Sequence, residues 1–318
     1  MDRNYSFFVG DIALDEYYRA PYWPNIREKV LVETLEKHVG GMIANAASVY
    51  NGYNESVYFL SLLNSGNITQ MLCEDLRKRG IDTRYILTDD TLPDAKNIII
   101  LTEDDHTLFI PTLGIKHFEI TPEIMEDMCK AKYVYSSIVE VRPLRCGEMD
   151  AMDIIKKIRA SGAKIVYDLD VAHLEPGDER FFEEMDIVFF NKNGFDVYRN
   201  GAPYEQAVAQ LLNKGTEMVV VTFAEEGCKV HTKDQLIEVP GISVEVVDVT
   251  GAGDTFCSSF IHALNQSNDL RVVANFANAA AARAVTIMGP RGGVASSETI
   301  ISFLIEKGIG TEEEYRCF

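Results

Sequence analysis

The chain reads as an α/β protein in which a mostly parallel sheet carries helices on both faces, with a small β-lid set into it. Three observations predict this. Short β-branched or aromatic runs alternate with longer stretches of helical period for most of the length. Several of the runs, such as Ile165-Val166-Tyr167 and Met218-Val219-Val220-Val221, are apolar at consecutive positions, as strands covered on both faces must be. At one place two strand-like runs follow each other with no helix between them, which marks a hairpin inserted in the alternating pattern.

In chain order, strands are expected at 5–9, 57–61, 97–102, 107–111, 133–137, 164–168, 187–191, 218–223, 229–232 and 236–240. Helical spacing of apolar residues falls at 41–50, 69–79, 122–130, 149–161, 203–212, 254–265, 270–288 and 298–307. The hairpin is the pair 97–102 and 107–111, joined by the polar, turn-forming Glu103-Asp104-Asp105-His106. It is either a lid and oligomer contact or an edge hairpin. No repeat, low-complexity segment or linker interrupts the chain. The economical reading is one principal domain over 1–318, with small β insertions near 12–36 and 84–118.

Composition narrows the function. The 318 residues carry 49 Asp and Glu against 30 Lys and Arg, a formal charge of −19. Such a surface repels a phosphate backbone or an anionic leaflet, and no Lys/Arg-rich block makes a local exception, so neither nucleic acid nor membrane is an expected partner. The six cysteines, at 73, 129, 146, 228, 257 and 317, form no Cys-x-x-Cys pair and no Cys/His cluster. A disulfide framework and a protein-built metal centre are therefore not expected. The start of the chain has no long apolar stretch, which leads to the expectation of a cytoplasmic protein in a reducing compartment.

The segment richest in chemistry is Val244-Glu245-Val246-Val247-Asp248-Val249-Thr250-Gly251-Ala252-Gly253-Asp254-Thr255-Phe256. A β-like run reaches a turn of small residues and then a helix whose apolar face is Phe256, Phe260 and Leu264. With almost no side chain, Gly251, Ala252 and Gly253 can turn their N–H groups toward one point. Together with the positive end of the helix they form an anion hole. Asp254 then faces whatever anion is held there, an awkward arrangement unless it takes part in the reaction. Phosphoryl transfer supplies a role: one base accepts the hydroxyl proton while positioned dipoles stabilise charge on the transferred group. An ordinary carboxylate suffices for a loose transition state, and the helix N-terminus is expected to keep Asp254 ionised.

The stretch from Asp248 to Phe256 resembles the C-terminal signature of the ribokinase/PfkB carbohydrate kinase family. Three further segments fall in that family's order. Val9-Gly10-Asp11-Ile12-Ala13-Leu14-Asp15 is similar to its first strand and sugar-binding aspartate, here Asp15. Gly40-Gly41-Met42-Ile43-Ala44-Asn45 is similar to its glycine pair and the asparagine that meets substrate hydroxyls. Asn278-Ala279-Ala280-Ala281-Ala282, leading to Gly289-Pro290, resembles the helix beside the adenine. The resemblance implies a ribokinase-like fold and ATP with Mg²⁺ as cofactors. It also implies a sugar site of Asp11, Asp15, Gly40, Gly41 and Asn45, and nucleotide contacts at Asn191, Thr222, Gly227, Thr250 and Asn278. The residue types suit this, since a polyol needs acceptors and mixed donor/acceptor groups, and glycines let the backbone approach the ring.

The chain departs from the family pattern twice. Where an Asn-x-x-Glu motif is expected, Asn191-Lys192-Asn193-Gly194 ends in glycine, which bears on metal handling. In Thr222-Phe223-Ala224-Glu225-Glu226-Gly227 an alanine replaces the first glycine, a change that matters if the turn needs positive φ there. The leading expectation is ATP-dependent phosphorylation of a hydroxymethyl group on a sugar or sugar-like polyol, with a homodimer formed through the lid. A nucleoside kinase, with Tyr17, Tyr18, Tyr22 and Trp23 as a shelf for the base, is the near alternative. A catalytically weak binding protein on the same scaffold is another. A dinucleotide oxidoreductase is disfavoured because Gly10-Asp11-Ile12-Ala13-Leu14 lacks the Gly-x-Gly-x-x-Gly turn. Arg142 and Arg145 read as surface charge partners or as contacts to an anionic substituent.

Overall fold

A computed structural model describes residues 3–103, 106–170 and 174–318 of the chain. The first half runs β1 (Tyr5–Val9), β2 (Ala13–Arg19), β3 (Glu33–Gly40), α1 (Met42–Gly52), β4 (Ser56–Leu63), α2 (Asn67–Lys78), β5 (Asp82–Thr88), β6 (Lys96–Leu101), β7 (His106–Phe109), β8 (Phe118–Glu119), α3 (Pro122–Lys130), β9 (Tyr133–Ser136), α4 (Ile138–Val141), β10 (Leu144–Arg145) and α5 (Ala151–Ala160). The second half continues β11 (Lys164–Asp168), β12 (Ile187–Asn191), α6 (Lys192–Arg199), α7 (Tyr204–Lys214), β13 (Met218–Thr222), β14 (Gly227–His231), β15 (Leu236–Pro240), α8 (Ala252–Gln266), α9 (Leu270–Ala284) and α10 (Ser297–Glu306).

Nine strands form the main sheet in the order β15-β14-β13-β12-β11-β9-β1-β4-β5. Pairing is parallel from β13 across to β5, and antiparallel only for β14 and β15. The consecutive apolar positions have a direct structural cause, because neighbouring residues of one strand enter opposite cores. Phe8, Tyr135, Val166, Phe189 and Val220 pack into the layer that holds α1, α8 and α9. Phe7, Val9, Val134, Ile165, Val188 and Val221 pack into the layer under α3, α5 and α7. After β1 the chain builds outward to β4 and β5 on one side, and later to β9, β11 and β12 on the other. The strand order therefore reverses between β1 and β9. In an open parallel sheet this opens a crevice at the carboxyl ends of the strands, where ligands bind.

A separate sheet of four strands, in the order β3-β2-β6-β7, stands apart from the main one. The expected hairpin is its β6–β7 pair; residues 104 and 105 of the connecting turn lie outside the described residues. Residues 84–88, placed in the second insertion by the sequence reading, belong instead to β5 at the edge of the main sheet. Strands β2 and β3 were expected only as a β insertion near 12–36, without individual bounds, because a thin sheet with an open face carries Glu16, Arg19, Glu36 and Lys37 among its apolar residues; β3 runs past that range to Gly40. The run 244–249 is not a strand. The N–H groups of Val247 and Asp248 both donate to the carbonyl of Val285, so the run lies along the end of α9, and Val246, Val247 and Val249 stay exposed. The same contact helps end α9 at Ala284, short of the expected residue 288. Among the described residues no helix is long and apolar enough to cross a membrane.

Candidate active site

The site collects at the carboxyl edge of the main sheet, where β1 hands over to α1. Asp11 follows β1, and its carboxylate accepts from the N–H groups of Met42 (3.0 Å) and Ile43 (2.9 Å) in the first turn of α1. Two donors that the helix leaves unpaired are thus satisfied. Both oxygens of Asp11, expected to meet a sugar, serve this helix start. Gly41 precedes α1 with φ +99°, a conformation that favours glycine, and a Cβ there would run into the backbone of Asp11 and Ile12. A Cβ on Gly40 would overlap the carboxylate of Asp15. Asp15 itself is buried in β2 and accepts from Asn97 Nδ2 of β6 at 2.8 Å. Burial pushes its carboxyl above the ordinary range, against that hydrogen bond.

Helices α1 and α8 meet at the floor of the crevice. Asn45 Nδ2 donates to Asp254 Oδ2 at 2.9 Å, linking two residues 209 positions apart. Gly251 caps α8 at φ +77°, with its Cα against the carbonyl of Pro290, where any Cβ would overlap. Space above Gly253 is open, with nothing within 4 Å of where a Cβ would stand. The preceding loop is pinned by Asp248, which accepts from Thr250 N (2.9 Å) and Gly289 N (2.8 Å). One expectation is corrected. Against the expected influence of the helix N-terminus, burial first, then the charge of Asp168, push the Asp254 carboxyl well above the usual range, with Asn45 opposing. Partly accessible at the floor, it is a stronger base than a free aspartate.

Four neighbours had no signal beyond their residue type. Glu140 lies in α4 close to Gly10, and burial together with Asp11 pushes it up to about 8. Asp168 ends β11 and accepts from the Tyr135 hydroxyl at 2.6 Å; burial, then Asp170, push it up to about 7. Asn97 fixes Asp15. Arg291 reaches in from the loop after α9 and donates from Nε to Asn45 Oδ1 at 3.1 Å.

On the other side of the crevice, the expected nucleotide contacts are largely engaged by the protein. Asn191 caps α6, accepting from Gly194 N at 2.7 Å and donating to Asp170. Gly194 abuts the carbonyls of Leu169 and Asp170, so the position cannot hold a glutamate side chain without moving that backbone. Asn278 donates to the Pro240 carbonyl at 2.7 Å, tying α9 to β15. Thr222 ends β13, and Ala224 sits at φ +50°, so the alanine does occupy a place that favours glycine. Gly227, at φ +101°, would overlap the carbonyl of Val239 if it had a Cβ. Of the aromatic residues, Tyr17 lies on the Asp15 face of β2 and meets His38 edge-on, whereas Tyr18 bonds Glu16 on the opposite face. Trp23 stacks on Phe109 of the hairpin. The four do not make one shelf. Arg142 pairs with Asp178 and Glu175, and Arg145 donates to nearby carbonyls, as surface and structural partners do.

Comparison with known proteins agrees with this architecture. Residues 5–296 match the model of the pfkB family carbohydrate kinases. The chain is 27% identical over 277 residues to a probable fructokinase-5 of Arabidopsis thaliana, covering 80% of this chain and 84% of that one. Among solved structures, Arabidopsis thaliana ribokinase, complexed with ribose and ATP, superposes with a TM-score of 0.82 at 22% identity, covering 95% of this chain and 98% of the other. A nucleoside kinase of Methanocaldococcus jannaschii gives a TM-score of 0.81 at 20% identity with the same coverage. With the family model spanning nearly the whole length over a ribokinase fold, the chain belongs to the pfkB family of carbohydrate kinases.

Proposed function

We propose that the protein transfers the γ-phosphoryl group of ATP to a hydroxymethyl group of a sugar or sugar-like polyol, with Asp254 as general base. The observation that carries this reading is the convergence of Asn45 and Asp254 under the open space at Gly253. Backbone N–H groups of residues 251–253 and the start of α8 would stabilise charge on the transferred group. Asp254, its basicity raised by burial and Asp168, would take the hydroxyl proton. Asp15 and Asn45 would orient the acceptor's hydroxyls, Asn97 holding Asp15 in place. Thr222, Gly227, Thr250 and the exposed Val247, Val249 and Met288 would bound the nucleotide. Asn191 and Asn278 would help by shaping that wall, through the contacts that fix α6 and α9.

Mg²⁺ fits this donor set as a companion of the triphosphate rather than as a resident ion. Among the described residues no three His, Cys, Asp or Glu are grouped to hold a metal, and such ions commonly take one or two carboxylates plus phosphate oxygens. Asp170, which accepts from Asn191 and abuts Gly194, would be the carboxylate to serve. When bound with ATP, the ion supplies neutralisation of phosphate charge. The four-stranded sheet would close over the acceptor as a lid, within a single kinase domain. Its exposed Ile98, Leu108 and Phe109 favour a homodimer through that sheet, which solution mass measures.

The reading is tested by ADP release across a panel of sugars and nucleosides. Turnover of at least one sugar is expected. Turnover of nucleosides alone would replace the sugar by a nucleoside acceptor, and no turnover at all would favour a binding protein.

A further inference from the structure

Arg291 follows Pro290, whose carbonyl is packed against Gly251, so the loop that shapes the anion hole also sends a guanidinium beneath it. That side chain is only 6% exposed. Its Nε donates to Asn45 Oδ1, Nη1 pairs with Asp75 of α2, and Nη2 is buried with no hydrogen-bond partner among the described residues. Asp75 is itself shared with Arg79, 3.0 Å away. A buried cation with half a counter-ion and an orphaned N–H is a poor device for stability, where a packed apolar side chain would serve as well or better.

The chemistry of the contact gives it another use. An asparagine amide can point either way, and an arginine has donors only. With Arg291 on one side, the oxygen of Asn45 must face the guanidinium, and its NH₂ must face Asp254. We infer that Arg291, anchored on Asp75, is a positioning residue that locks the Asn45 amide as a donor to the Asp254 carboxylate. Were the amide free to turn, its oxygen would oppose a carboxylate oxygen and the base would lose both its orientation and a partner of its charged form. Lysine cannot replace the function, because one ammonium cannot hold Asp75 and the planar amide together in the fixed fork geometry. The other groups facing Asp254 are Asp168 and Asp170 at the end of β11, Asp11 after β1, Tyr135 of β9 and Cys257 of α8. The three carboxylates disfavour its charge, while Tyr135, which donates to Asp168, and Cys257 are uncharged where a carboxyl titrates, and Asn45 is left as the neutral donor that favours the charged form.

This inference rests on Asp254 as the base, and its test separates the two ideas. Aspartate-carboxyl ¹³C NMR of the ligand-free protein, with Asp254→Asn for assignment, follows the titration of Asp254 without any substrate. Arg291→Lys is expected to raise its midpoint by about half a unit or more and to lower kcat about tenfold with the KM for ATP within about twofold, the effect of one hydrogen bond to a charged group. In an Asn45→Ala background the same change is expected to do neither, since residues acting through one contact are non-additive. Asp75→Asn, which keeps both Arg291 and Asn45, shifts both readouts in the same direction by less and serves if the lysine variant does not fold. An unmoved midpoint, or losses that multiply in the double variant, overturns the inference. Absence of turnover in the wild type would instead remove the base assignment, while the titration still reports whether Arg291 controls Asp254 through Asn45.

Discussion

The two walls of the crevice hold similar residues on different terms. On the proposed acceptor wall, Asn45, Gly251 and Asp254 come from two helices more than two hundred residues apart, and Asn45 donates directly to Asp254 beside the open space at Gly253. On the nucleotide wall, Asn191 and Asn278 are engaged by a helix start and by the Pro240 carbonyl, and Ala224 strains a turn that favours glycine. The difference lies in what claims the polar atoms: Asn45 is tied to Asp254, another residue of the site, whereas Asn191 and Asn278 are tied to the scaffold. Under the proposed function, the acceptor wall would be pre-organised for reaction, and the nucleotide wall would bind through shape and backbone.

The largest expected contrast comes from the tightest backbone contact. Gly251→Ala would drive a methyl into the Pro290 carbonyl at positive φ. Turnover should fall by about a thousandfold as the anion hole opens. Stability should fall by about 2–3 kcal/mol from strain and overpacking, read by kinetics and denaturant unfolding. Next is pH. If Asp254 is the proposed base it must be ionised to act, and with its carboxyl raised kcat should drop about tenfold per unit below that raised value, in a profile measured at saturating substrate. Stability should run the other way. Glu140 at about 8 and Asp168 at about 7 bind protons in the folded chain that the unfolded chain has already lost. The ligand-free protein should therefore lose stability as pH rises from about 4, the unfolded carboxylate range, through about 8, as thermal melts at fixed ionic strength would show.

On the nucleotide wall the effects are smaller. Gly194→Glu, which would restore the family's pattern in sequence, should cost about 1–3 kcal/mol, because the carbonyls of Leu169 and Asp170 occupy the space. A melt at or above the wild-type value would show that this backbone gives way easily. Ala224→Gly should stabilise the chain by about 1 kcal/mol by relieving the positive φ, with ATP affinity equal or better in calorimetry.

The parallel sheet was legible because Ile165-Val166-Tyr167 reads as a strand covered twice, and the start of α8 because Gly251-Ala252-Gly253-Asp254 joins a tight turn to a helix. Strands β2 and β3 were legible only as an insertion near 12–36 and not as individual strands, since a thin sheet with an open face lacks a periodic signature. The valines at 244–249 misled for the opposite reason: their β propensity is real, but Val285 takes their N–H groups and no strand lies alongside. Arg291 and Glu140 were invisible because their meaning is a distance across the fold. Gly194 looked like a lost function in sequence, and in three dimensions it is a packing requirement.

Asp254→Asn, assayed for ATP affinity by calorimetry and for ADP release with the best acceptor, tests the proposed base most directly. ATP affinity within about threefold of wild type, together with turnover lowered at least a few hundred-fold, is the predicted pair, general base catalysis supplying about 10²–10⁴. Turnover unchanged in that variant would contradict the assignment and move the chemistry away from the acceptor wall.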